Sequence, residues 1–484
     1  MKLIDAMRTN DAFTENGMTT NSTSLNLCVD LFFKIGALRG KGKRDKINAF
    51  SKAFGENPLL AMKILFWARD IRGGAGERET FREIVVYLSN NHPDVLGKNL
   101  NLFSEFGRWD DLLVLIGTKL ENEVLVIIKS ALDRGDGLCS KWLPRGNTKN
   151  RERKLWAKAI RNYLGLSPKE YRTLLVGLSN TVEQLMCAKK FDAITYSHVP
   201  SKAMSDYMKS FSRNDTQRFG SYLQSVEKGE ATINAGAVYP YDIIKSLKQG
   251  NSDGANAQWG ALPNYLEGNG ERLLPLVDVS GSMTCPAGGS KSVTCMDVAI
   301  SLGLYISERN VGAFKDAFLT FTSQPKLEVL KGSLNDRFTQ LSRADWGGST
   351  NIQAAFETIL TKAKSSDVLQ SDMPTMLLIL SDMQFDFATG NNGWGVSHPV
   401  WNPSAQQMVE KMYADSGYKM PKLVYWNLNS RNDNSPVSFD KQGTALVSGF
   451  SVSLLKNLLG GKDMTPLSMM MDIVNSDRYD SITI

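Results

Sequence analysis

The stretch Leu273-Leu274-Pro275-Leu276-Val277-Asp278-Val279-Ser280-Gly281-Ser282-Met283 limits what this chain can fold into more than any other. An apolar run of strand length stops at an acid and two serines, and a glycine lets the backbone turn back. A run apolar on both faces fits a buried central strand. Asp278, Ser280 and Ser282 alternate, so in an extended turn one carboxylate and two hydroxyls face a single point. Such a hard, all-oxygen set suits Mg²⁺ or Mn²⁺ and not Zn²⁺. Small polar residues after a strand also make plain turns, so the motif alone decides little.

Two later stretches end in the same residue types. Trp346-Gly347-Gly348-Ser349-Thr350-Asn351-Ile352 is a Gly-rich loop opening into a helical run, and Met376-Leu377-Leu378-Ile379-Leu380-Ser381-Asp382 is a second apolar strand ending in Ser-Asp. Open parallel sheets gather ligands beyond the carboxyl ends of their strands, where strand order reverses. Asp278, Ser280, Ser282, Thr350 and Asp382 therefore form one candidate shell. Together the D-x-S-x-S, the threonine after a Gly-rich loop and the Ser-Asp strand end resemble a von Willebrand factor A domain. The resemblance implies a doubly wound, Rossmann-like fold in which these five residues surround Mg²⁺ (or Mn²⁺). It also implies a coordination position open to a partner's carboxylate. The plainer reading keeps the fold and loses the metal.

With 484 residues, 42% hydrophobic and 22% charged, the chain reads as soluble and multi-domain. No apolar run approaches the ~20 residues of a membrane span, and Met1 to Asn26 lack the order of a signal peptide. The expected location is cytoplasmic, with no membrane partner. Cys28, Cys139, Cys187, Cys285 and Cys295 contain no C-x-x-C pair and are expected to be reduced, although Cys285 and Cys295 flank a Gly-rich loop and could meet. Only His92, His198 and His398 supply imidazole, and the metal shell has no general base or second carboxylate cluster beside it. A binding protein is expected rather than an enzyme. Asp386 is the one nearby acid, and reads as a turn residue.

The net charge of +6 hides an asymmetry: residues 1–265 carry +10 and residues 266–484 carry −4. The basic half is the expected polyanion binder. Residues 1–24 are polar and turn-rich, either a flexible arm or an extended strap. Over 25–267 apolar stripes of helical period recur every roughly 15–20 residues, as in the helical hairpins of a HEAT-like solenoid. The predicted helices include Asp94 to Phe106 as one piece. Gln249 to Glu271, rich in Gly and Asn, reads as the link between halves, and residues 268–484 alternate strands with helices. The fold class is thus multi-domain, α followed by α/β.

Lys141, Arg145, Lys149, Arg151, Arg153 and Lys154 crowd into fourteen residues with one acid. They form a candidate RNA-binding surface, because neutralising phosphates releases counterions. A solvated loop before a helix explains the same residues without RNA. Smaller groups at Arg39 to Arg44 and Arg69 to Arg78 set Gly beside Arg or Lys at helix ends, where backbone amides can also hold phosphate. Trp67, Trp109, Trp142 and Trp156 read as core residues before stacking platforms.

Gly73-Gly74-Ala75-Gly76-Glu77-Arg78-Glu79-Thr80-Phe81 and Phe106-Gly107-Arg108-Trp109-Asp110-Asp111-Leu112-Leu113 stand in a helical half that precedes an A-like half. This order resembles the Ro autoantigen (TROVE-domain) ribonucleoproteins. That resemblance implies a helical ring completed by the A domain, holding small structured non-coding RNA outside and single-stranded RNA ends in its hole. A nuclease or other protein would be recruited through the metal. Lys141 to Asn150, Phe191 to Ala203, Val424-Tyr425-Trp426-Asn427 and Ser448-Gly449-Phe450 look closer to an uncharacterised Ro-like family of cells and large viruses. A protein-assembly module, viral or virion-associated, is the second reading.

Overall fold

The computed structural model describes residues 10–179, 181–268, 270–287, 293–321, 324–343, 350–386, 403–429, 434–459 and 464–484. Trp346 to Ser349, His398 and the first nine residues of the polar arm lie outside them.

The arm is a strap. Two short strands, β1 (Ala12–Phe13) and β2 (Thr19–Thr20), pair antiparallel. Too polar to bury itself, this segment is fastened by hydrogen bonds to distant residues. The Thr14 hydroxyl donates to the Phe385 carbonyl at 2.7 Å, Asn16 Nδ2 to the Gln384 carbonyl at 2.8 Å, and the Asn21 and Ser435 backbones exchange two bonds.

The helices that follow start where polar caps predict. Asn26 and Asn57 accept from Val29 and Leu60 N–H ahead of Leu27–Ile35 and Pro58–Arg69, and Ser167 closes a capping box with Glu170. The expected helix over 94–106 is broken into Pro93–Lys98, a 3-10 turn Leu100–Leu102 and Phe103–Phe106. At the break, Asn99 Nδ2 donates to the Val95 and Thr483 carbonyls. The stretch read as a Gly-rich link contains a helix, Ser252–Gly260. Its Gly254 is there for close packing: a Cβ would collide with the Met208 sulfur.

Beyond residue 272, apolar runs become the centre of a six-stranded sheet in the order β5-β4-β3-β6-β7-β8. These are β3 (Leu273–Asp278), β4 (Ala317–Phe321), β5 (Leu327–Val329), β6 (Met376–Ser381), β7 (Lys422–Asn427) and β8 (Thr444–Ser448). All neighbours are parallel except β4 and β5. The antiparallel β5 is an exposed edge that periodicity did not predict. Helices Cys295–Arg309, Ile352–Ser365 and Ala405–Ser416 connect the parallel strands. From β3 the chain moves outward to β4 and β5, returns to β6 on the other side of β3, and continues to β8. Strand order therefore reverses between β3 and β6.

The two halves share one apolar core that runs from Met18 to Ile482, with a smaller cluster around Tyr196, Phe211 and Phe219. Helix Leu27–Ile35 lies along β8, where the Gly36 N–H donates to the Ser448 hydroxyl at 3.0 Å and a Cβ on Gly36 would strike the Ser448 backbone. At the other end of the chain, Arg478 pairs with Asp70 and the Thr483 N–H donates to Asn99 at 3.0 Å.

Candidate metal centre

Asp278 is the last residue of β3, and Ser381 is the last of β6. The register that sets Val277 beside Leu380 brings these two level. The Ser381 hydroxyl donates to Asp278 Oδ2 at 2.6 Å, and the Ser280 N–H donates to Oδ1 at 2.9 Å. Asp278 is thereby aimed, with lone pairs to spare on each oxygen. Past β6 the backbone takes a left-handed conformation at Met383 (φ 63°), and the Gln384 N–H donates to Asp382 Oδ1 at 3.3 Å.

Asn351 caps helix Ile352–Ser365, which stations Thr350 just ahead of it, and the Thr350 carbonyl accepts the Asp386 N–H at 3.0 Å. Asp386 is thus tied into the turn through its backbone. Asp278, Ser280, Thr350 and Asp382 are all buried, and Ser282 is half-buried. The Ser280 and Ser282 hydroxyl oxygens stand 3.0 Å apart. Burial, and then the nearby Asp382 carboxylate, push the Asp278 carboxyl well above its ordinary value.

The donor set fits a small hard cation. Adjacent oxygens of a Mg²⁺ octahedron with ligands at about 2.0–2.1 Å lie about 2.9 Å apart, close to the separation of the two serine hydroxyls. A cation would also offset the repulsion between two buried acids. Among the described residues no three His, Cys, Asp or Glu side chains are placed to hold a metal, so a site here depends on the hydroxyls. Ser381 was visible in the sequence as part of the Ser-Asp strand end. Its role in aiming Asp278 needed the strand register.

The six cations of the basic stretch divide. Lys141 lies in the last turn of helix Gly137–Trp142 and pairs with Glu183 at 3.1 Å. Arg145 is half-buried, donates to the Ser179 hydroxyl at 3.3 Å, and is pushed below its ordinary pKa by burial. Lys149, Arg151 and Lys154 are exposed, and Arg153 is half-buried, around the start of helix Arg151–Tyr163. The outward charge is carried by these four.

In the smaller Gly-and-Arg groups, read as possible phosphate holders, Arg39 and Arg69 are engaged internally, while Lys43, Arg44, Arg72 and Arg78 are exposed. Arg39 forms a buried pair with Glu77, and Arg69 pairs with Asp111 at 2.7 Å. A Cβ on Gly74 would meet the Trp67 carbonyl, and one on Gly76 (φ 68°) the Tyr239 hydroxyl. Asp110 and Asp111 also receive Arg82, while Arg108 pairs with Asp110 and lies 3.9 Å over the Trp142 ring. Trp67, Trp109 and Trp156 are buried, as core residues should be.

Comparison with known families divides the chain where its secondary structure changes. Residues 14–134 and 134–271, more than half of the chain, match the family described as a domain of unknown function, DUF2828. The chain belongs to that family. Residues 273–479 match a second domain of unknown function, DUF7788. The chain is also similar to the uncharacterized protein L728 of Acanthamoeba polyphaga mimivirus. The two are 29% identical over 518 aligned positions, which cover 96% of this chain and 87% of the viral protein.

Proposed function

We propose that this DUF2828 protein is a docking scaffold that presents a Mg²⁺ (or Mn²⁺) ion to an acidic side chain of a partner protein and holds RNA on its basic helical half. The observation that supports the first part is the pair of buried acids, Asp278 and Asp382, at the carboxyl ends of β3 and β6, with the Ser280 and Ser282 hydroxyls beside Asp278, where strand order reverses. Asp278, Ser280, Ser282, Thr350 and Asp382 would hold the ion, and Ser381 would keep Asp278 turned toward it. When bound, the ion supplies a Lewis-acidic position for a carboxylate from outside. The strand order supports a von Willebrand factor A-like reading of this half, and the helices before it support a HEAT-like, Ro-related one. The RNA would be small, structured or damaged, and the docked protein a nuclease or other acidic partner.

The RNA part draws its support from charge. Lys149, Arg151, Arg153 and Lys154 flank the first turn of a helix, where the macrodipole disfavours cations, so their attraction for an anion is not spent within the helix. The internal engagement of Lys141 and Arg145 favours a second reading, an assembly module that binds protein alone.

Titration with Mn²⁺ under calorimetry tests the metal. The wild-type chain should bind one ion and Asp278→Ala none; equal binding by both sinks the proposal. Purification at low salt, followed by the 260/280 nm absorbance ratio and sequencing, tests the RNA. A salt-labile RNA that disappears on neutralising the four outward cations supports it, and a clean protein spectrum moves the conclusion to the assembly module.

A further inference from the structure

The sulfurs of Cys285 and Cys295 stand 3.5 Å apart with no disulfide between them. Cys285 follows the 3-10 turn Gly281–Thr284, which carries Ser282, and its N–H donates to the Ser282 carbonyl at 3.3 Å. Cys295 is the first residue of helix Cys295–Arg309. An antiparallel bridge sets Pro286 opposite Thr294, with the Ala287 N–H donating to the Val293 carbonyl at 2.8 Å and the Cys295 N–H to the Cys285 carbonyl at 3.0 Å.

That pattern places Cys285 directly across from Cys295. Opposed residues sharing such a bond have Cα atoms about 5.5 Å apart, within the roughly 4.4–6.8 Å that disulfides span. The backbone already has the right reach, and both side chains point the same way. Given an oxidant, the bond needs side-chain rotation and no backbone movement.

The two sulfurs are not equivalent. Cys295 is fully buried and its S–H donates to the Leu428 carbonyl at 3.7 Å. Cys285 is half-buried and accepts an N–H from Asn429 Nδ2 at 3.2 Å. The accessible sulfur, with a donor to steady negative charge, is the one suited to begin exchange. Cys28 and Cys139 are buried among other groups, and Cys187 is exposed and alone.

We propose that Cys285 and Cys295 are a redox-modification site that forms a reversible disulfide by exchange with a low-molecular-weight disulfide of the glutathione class. Cys285, as thiolate, attacks one sulfur of the small disulfide; that S–S bond breaks and one small thiolate leaves, taking up the proton Cys285 gave to water. Cys295 then loses its proton and attacks the Cys285 sulfur of the mixed disulfide, expelling the second small thiol. Two protein thiols are oxidised and one small disulfide is reduced to two thiols. The new bond ties the turn bearing Ser282 to the head of the next helix, and so tightens ion binding. That consequence, unlike the disulfide, rests on the metal reading above.

The test uses the full chain, equilibrated without oxygen in mixtures of oxidised and reduced glutathione, then acid-quenched, alkylated and digested. One linked peptide pair joining Cys285 to Cys295, which disappears again in reducing mixtures, is expected. Cys295→Ser should trap glutathione on Cys285, and Cys285→Ser should leave Cys295 unmodified. If the most oxidising mixture loads Cys187 with glutathione and yields no linked pair, the proposal is overturned. Mn²⁺ titration of both forms should show about threefold or greater tightening on oxidation, and equal affinities overturn the coupling. Absence of Mn²⁺ binding in both forms strikes the metal reading alone, since the linked peptide is scored without any ion.

Discussion

Two groups of buried acids in this chain are built on opposite rules. Asp110 and Asp111 meet Arg69, Arg82 and Arg108, three guanidinium groups from separate helical segments. Burial alone would raise Asp110, yet Arg108 and Arg82 hold it below its ordinary value. Asp278 instead meets hydroxyls and a second acid, and is raised. The first group is complete within the helical half and locks it together. The second becomes electrostatically comfortable when a cation arrives from outside. Buried charge is thus balanced from within in one place and left unbalanced in the other, where the proposed ion would neutralise it.

The largest test of this contrast is Asp111→Ala, which strands the buried Arg69, removes one of the two partners of Arg82 and should cost about 3–5 kcal/mol in urea denaturation; a loss under about 1 kcal/mol would mean that the network is not structural. Asp278→Asn should do the reverse. It removes one of two like charges, so the ion-free protein should melt no lower than wild type, while the rise in melting temperature that Mg²⁺ gives the wild type should vanish. A variant that melts several degrees lower in chelator would place Asp278 with the structural acids.

Neutralising Lys149, Arg151, Arg153 and Lys154 together should flatten the salt dependence of RNA affinity by about 0.7 for each phosphate that is no longer neutralised, read from fluorescence anisotropy at several salt concentrations. The smallest effect concerns pH. Because the folded protein holds Asp110 below its ordinary pKa, the stability it contributes is fully present above that ordinary value and fades as pH falls through the lower, folded one. Asp110→Asn should therefore make the acid limb of the stability curve shallower. An unchanged limb assigns acid sensitivity elsewhere.

The acids of the sheet were legible because they interrupt apolar runs: Asp278 and Asp382 stand out against Leu, Val and Ile, and a buried parallel strand tolerates such residues only at its end. The arginine network was not legible, since Arg69 and Arg82 come from periodic segments separate from the one that holds Arg108, Asp110 and Asp111, and each segment looks like a solvated face. The partner of Lys141 was hidden for the same reason, as Glu183 lies on another helix. Helix Ser252–Gly260 was hidden by glycine content. Gly254 lowers helix propensity locally but permits the close approach to Met208 that holds the helix in place.

The strap and the tail cross in opposite directions. Residues 14–21 are fastened to the sheet half at Gln384, Phe385 and Ser435, while residues 478–483 are fastened to the helical half at Asp70 and Asn99. During synthesis the first helices therefore wait, with Asp70 and the ring of Phe106 uncovered, until Arg478 and Tyr479 have left the ribosome. Pairings such as Arg478 with Asp70, 408 positions apart, make folding slow and leave apolar surface open for most of translation. The arginine lock can close early in synthesis, and the patch around Asp70 and Phe106 stays bare until residues 478–483 emerge to cover it.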